Sequence, residues 1–256
     1  MALFNKVLAS IGIGSAKVDT KLEKTVYTAG EIMRGVVEVK GGNIEQQIDS
    51  IYLSVMTTYV RETDDKKVTD HAAVFKRKLN EPFTIGAGET REFPIDLELP
   101  HETPITQGKT RVWVETGLDI KQAVDPGDKD YIEVRATPIA EAVLEAVRSL
   151  GFRLREVECQ QPSRHARGKY PFVQEFEFVP VSGDYKGKLD ELEVTFIEQA
   201  AHEVTLLMQV DRRARGLGGF LSEAMGTDET NVRLRIGKHD LPAIESKLNE
   251  TISRFA

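Results

Sequence analysis

Apolar residues recur with a period of two over most of the chain. The organising stretch runs from residue 26 to 60, VYTAGEIMRGVVEVKGGNIEQQIDSIYLSVMTTYV. Two alternating runs, 32–40 and 48–60, flank Gly41-Gly42-Asn43. In the second run Ile51, Leu53, Val55, Thr57 and Tyr59 point one way and Tyr52, Ser54, Met56, Thr58 and Val60 the other. Alternation with β-branched and aromatic enrichment is the strand signal. Apolar residues on both faces predict a strand inside a sandwich. Gly41-Gly42 is expected to supply the positive φ of a tight turn, and Thr28-Ala29-Gly30-Glu31 a second one. Further strands are predicted at 17–22, 72–79, 92–99, 110–116 and 131–135, with 61–70 as a charged loop and Asp125-Pro126-Gly127-Asp128 as a turn. Trp113, the single tryptophan, is expected in the core.

At residue 137 the period changes. Thr137 is a favoured N-cap and Pro138 suits the first helical position. Ile139, Val143, Val147 and Leu150 follow at helical spacing, and Gly151 stops the helix. Strands then resume at 152–158, 172–180, 189–199, 203–212 and 230–236. A closing helix carries Ile244, Leu248, Ile252 and Phe255 on one stripe, with Asp240 as its expected cap. Residues 2–11 read as a short amphipathic helix packed on its own domain. The predicted fold is mostly β, with two antiparallel β-sandwich domains, residues 1–135 and 136–256, a connecting helix and short terminal helices.

The order KVDTKLEK, TAGE, GVVEVKGG, IDSIYLSVMTTY closely resembles the sporulation-control family of the Spo-zero-M type. The opening MALFNKVLASIGIGSAKVDT, and later DYIEVRATP followed by a helix and LGFRL, fit it as well. That resemblance implies an arrestin-like fold and a non-enzymatic regulator working through protein contacts. It supplies no pattern of catalytic residues.

Composition changes this picture little. The chain has 256 residues, 40% hydrophobic and 29% charged, with a net charge of −7. The acidic balance speaks against nonspecific nucleic-acid binding. The lone Cys159 makes no intramolecular disulfide, and no apolar run reaches the ~20 residues of a membrane helix, so a cytoplasmic location is expected. The five histidines are scattered, so neither a metal nor a cofactor is expected. Gly12 to Lys17 lacks phosphate-loop spacing, and Gly-x-Ser-x-Gly is absent.

Two basic loops stand out. One carries Arg164, His165, Arg167 and Lys169; the other carries Arg212, Arg213 and Arg215 and runs into Gly216 to Gly219. Charge runs more often only solvate a face. As docking candidates, Arg212, Arg213, Arg215, Arg164, Arg167 and Lys169 suit an acidic protein partner, with an anionic membrane surface as the weaker option. A lipid- or small-molecule-binding module is the alternative function, using a cavity between sheets.

Overall fold

A computed structural model describes residues 14–63, 66–121, 125–163, 168–212 and 229–256. The expected helix at 2–11 lies outside them, as do Arg164, Arg167, Arg213 and Arg215. The first half contains β1 (Lys17–Leu22), β2 (Val26–Thr28), β3 (Ile32–Lys40), β4 (Gln46–Thr63), β5 (Lys66–Lys78), β6 (Phe83–Ile85), β7 (Thr90–Glu98), β8 (Val112–Ile120) and β9 (Gly127–Arg135). Helix α1 (Pro138–Ser149) follows, then β10 (Phe152–Gln160), β11 (Val173–Pro180), β12 (Leu189–Gln199), β13 (Glu203–Arg212), β14 (Glu229–Gly237) and α2 (Ile244–Ser253).

The first half is a sandwich. A three-stranded sheet, β1-β3-β7, faces a layer built on β4, β8, β9 and β2. Met33, Val37 and Val39 from one layer meet Ile51, Leu53 and Val55 from the other, all buried. The odd residues of β4 fill this core, as their alternation demands. Gly41 and Gly42 serve close approach rather than positive φ. A Cβ would stand 2.0 Å from the Gly86 carbonyl oxygen at Gly41 and 1.9 Å from that of Gly14 at Gly42.

Two further expectations change, and the expectation for Trp113 is refined. Residues 61–63 and 66–70 are strand, not loop: β4 and β5 pair from Tyr52↔Lys78 out to Thr63↔Lys66, with one register shift between Val55 and Met56. Trp113 is buried, but on the face of β8 opposite Val112 and Val114, which point into the sandwich. There it lies beneath Lys129, whose Nζ is 3.9 Å from the ring centroid, with His71 edge-on at 5.0 Å and Nε1 donating to Glu115 at 3.0 Å. Asp240 caps the short 3-10 turn Lys238–Ala243, accepting from the Gly237 N–H at 2.8 Å, and α2 begins after it without a side-chain cap.

In the second half β10 to β14 form one antiparallel meander. One face of it carries Phe176, Phe178, Leu192, Val194, Leu206 and Met208. Among the described residues, α1 and α2 cover that face, through Val143, Leu144 and Val147 and through Ile244, Leu248 and Ile252. Helix α1 starts as expected, with the Thr137 side chain accepting from the Ala140 N–H at 3.2 Å. The two halves share one sheet, because β10 runs parallel to the outer end of β4 at Gln160↔Val60.

Candidate functional site

The junction between the halves is built from residues 100–111 of the first and from β10 and β11 of the second. Gln174, buried on β11, reaches across it. Its Oε1 accepts from the Ile105 N–H at 2.7 Å, and its Nε2 donates to the Ile105 carbonyl at 2.7 Å and to Thr110 Oγ1 at 3.1 Å. Gly108, at φ 61°, presses so closely on β10 that a Cβ would lie 2.5 Å from the Val157 carbonyl oxygen. Lys109 pairs with Glu156 and, at 3.4 Å, with Glu158. Thr110 contacts Cys159 Sγ at 3.8 Å. Burial pushes that thiol up to about 12, so it stays protonated and unreactive at neutral pH.

Beside this bridge lies a cavity of about 230 Å³. Glu102 and Pro104 line it from the first half, with Lys169, Tyr170 and Phe172 ahead of β11, Phe196 to Gln199 on β12, and Arg233 on β14. Tyr170 stacks on Phe172 with centroids 5.4 Å apart, and Phe172 meets Tyr59 of β4 at 6.3 Å. Lys169 Nζ sits 4.9 Å from the centre of the Tyr170 ring, a cation–π arrangement. The volume is below the ~300 Å³ at which drug-sized ligand pockets begin, and suits a single inserted side chain. Its charges are mixed.

Of the two predicted docking residues among the described ones, Lys169 and Arg212, the structure sets Lys169 at this cavity. Arg212 ends β13 opposite Leu189. The cavity adjoins the other end of that strand, where Gln199 pairs with Val204, roughly 27 Å away at the rise of a strand. The two are not brought together. Sequence reasoning missed Gln174, Glu102 and Arg233. The run Lys169-Tyr170-Pro171-Phe172, with two aromatics beside a cation, was a usable signal. A glutamine in an alternating strand offered none.

Among the described residues, no group of three His, Cys, Asp or Glu is placed to hold a metal ion, and no helix is long and apolar enough to cross a membrane.

A sandwich joined through a shared sheet to a helix-covered meander defines a mostly β protein. The family model described as SpoOM protein matches residues 4–214. The chain is 45% identical over 259 residues to the sporulation-control protein spo0M of Bacillus subtilis (strain 168), covering 100% of both chains. The crystal structure of Spo0M from Bacillus subtilis superposes with a TM-score of 0.84 at 45% identity, covering 95% of this chain and 100% of that one. The chain belongs to the Spo0M family and is homologous to a sporulation-control protein.

Proposed function

We propose that this protein is a non-enzymatic regulator of sporulation or a related developmental programme, acting in the cytoplasm by docking on a partner protein. The observation that carries this reading is the likeness to a sporulation-control protein over the whole of both chains. The cavity at the junction supports it. Its aromatic wall and mixed charges suit one anchoring side chain of a partner, which is how interfaces concentrate their binding energy. In the proposal Lys169 flanks the anchor. Arg164, Arg167, Arg212, Arg213 and Arg215 add electrostatic attraction for an acidic partner surface. Residues 1–135 and 136–256 act as its two units.

The test is complementation. A Bacillus subtilis strain lacking its own spo0M relative receives this chain, and spore yield is compared with that of the parent. Restoration of the parental yield is expected from the wild-type chain, and a reduced effect from Phe172→Ala, which empties the cavity wall. A wild-type chain that is expressed and folded but leaves the yield unchanged overturns the regulatory reading. Stabilisation by anionic lipid headgroups in a thermal-shift assay, abolished by Lys169→Glu, would favour the lipid-binding module instead.

A further inference from the structure

Strand β5 is 13 residues long and, among the described residues, pairs only with β4. The direction of its backbone groups follows from its neighbours. Thr58 turns its N–H away from β5, to the Arg111 carbonyl at 3.3 Å, and Val60 turns its carbonyl away, to the Gln161 N–H at 2.8 Å. Thr58 stands opposite His71, and Val60 opposite Thr69. In an antiparallel ladder, residues of such pairs point both backbone groups outward. By the same alternation Lys67 (opposite Glu62), Thr69, His71 and Ala73 (opposite Met56) present N–H and C=O along the open edge, about 6.8 Å apart. A bulge between Val55 and Met56 ends this regular run.

The occupant is indicated by charge and by one contact. β5 carries Lys66, Lys67, Lys76, Arg77 and Lys78 against the single carboxylate of Asp70, in a chain whose net charge is −7. Lysines on an edge strand repel a second copy of the same strand. The same charges attract an acidic one. A carboxylate already sits on the open edge: Asp70 Oδ1 accepts the outward His71 N–H at 2.8 Å, while its Oδ2 takes the Arg61 Nε–H at 2.9 Å. An oxygen acceptor therefore fits where the carbonyl of an incoming strand would bond.

We propose that β5 accepts an extended acidic segment of a partner protein as an added strand. Backbone hydrogen bonds from residues 67–73 supply the register, and the cations at both ends of β5 supply the selection for acid. This surface belongs to the β4–β5 hairpin and does not rest on the basic loops or the cavity.

The probe is a synthetic peptide of about twelve residues, long enough to span β5, alternating glutamate with threonine or valine. Its binding is read by fluorescence anisotropy. A peptide with lysine in place of every glutamate, and an acidic peptide N-methylated at alternate amides, serve as comparisons. Thr69→Pro removes an outward N–H without touching the bonds to β4, and should weaken binding about tenfold or more. Asp70→Ala frees the His71 N–H and should tighten it. Arg77→Glu with Lys78→Glu should weaken it, as should added salt. N-methylation should abolish it, a control that holds whether or not the proline variant folds. Equal binding of the lysine peptide or of the N-methylated peptide overturns the proposal. So does a dimer of this chain by light scattering that Thr69→Pro dissociates, since the edge would then serve a second copy.

Discussion

Replacing Gln174 by leucine severs the side-chain bridge between the two halves. The wild-type amide makes three hydrogen bonds there, to the Ile105 N–H, the Ile105 carbonyl and Thr110 Oγ1. The losses are unequal. The Ile105 carbonyl keeps the Gln107 N–H at 2.8 Å, and Thr110 keeps its contact with Cys159. Among the described residues the Ile105 N–H has no second acceptor, and a donor orphaned in this way costs about 1–3 kcal/mol. Two further bonds lost at roughly 0.5–1.5 kcal/mol each, partly offset by leucine's apolar burial, put the expected loss at about 2–4 kcal/mol. Urea unfolding followed by tryptophan fluorescence and by far-ultraviolet circular dichroism measures it. Gln174→Glu is the companion. It keeps an acceptor for Ile105 N–H but sets a carboxylate against the Ile105 carbonyl, so its penalty should shrink as pH falls and the acid becomes a donor. A leucine variant within about 0.5 kcal/mol of wild type would refute the bridge.

Three further outcomes follow from particular side chains. Val55 is fully buried in the sandwich, so Val55→Asp should cost at least about 4 kcal/mol, and an unchanged melting temperature would show the strand's faces to be reversed. Cys159, its thiol pushed up to about 12 by burial, should resist alkylation at pH 8 in the native protein and react once denaturant is added. Asp130 is pushed up to about 6 by burial and then by the carboxylate of Asp128. A carboxyl raised in the folded state binds its proton more tightly there than in the unfolded chain. Its favourable contribution is therefore full below about pH 4 and is lost as pH rises through about 6. Asp130→Asn should accordingly stabilise the protein at about pH 8 and not at about pH 4, measured by melting temperature. Equal shifts at both values would contradict the assignment.

The β organisation was legible because it is written in burial. Wherever one face of a strand meets a core, as in residues 51–55, 93–99 or 204–210, alternation reports it. Helix α1 was legible because its cap, its first-turn proline and its terminal glycine agree. The outer hairpin was not. Residues 61–63 and 66–70 carry charge on both faces, and backbone pairing between β4 and β5, not burial, makes them strand. Trp113 was legible in its burial but not in its face. Size predicts burial but not the face, and this ring is covered by Lys129 and His71 instead of by a second sheet. Asp240 had the right chemistry one turn too early. The junction was least legible of all, since Gln174 meets Ile105 across 69 residues of sequence and no local pattern encodes that distance.

The connector helix marks the change in sequence pattern, yet packing does not break there. Cys159 and Phe172, which follow the helix, lie in the first core, and Ile105, which precedes it, packs against the second. Each half thus lends side chains to the other. Between these exchanges the contact is largely polar: Gln174 to Ile105 and Thr110, Lys109 to Glu156 and Glu158, Val60 to Gln161. Apolar area alone is non-directional and would allow the halves to slide. Hydrogen bonds have preferred lengths and angles, and one broken with its donor left buried carries a penalty. The junction therefore fixes an orientation as well as an association. The open edge of β5 is paired to β4, β4 is paired to β10, and β10 flanks the strand that carries Gln174. The edge and the cavity are consequently held on one continuous frame.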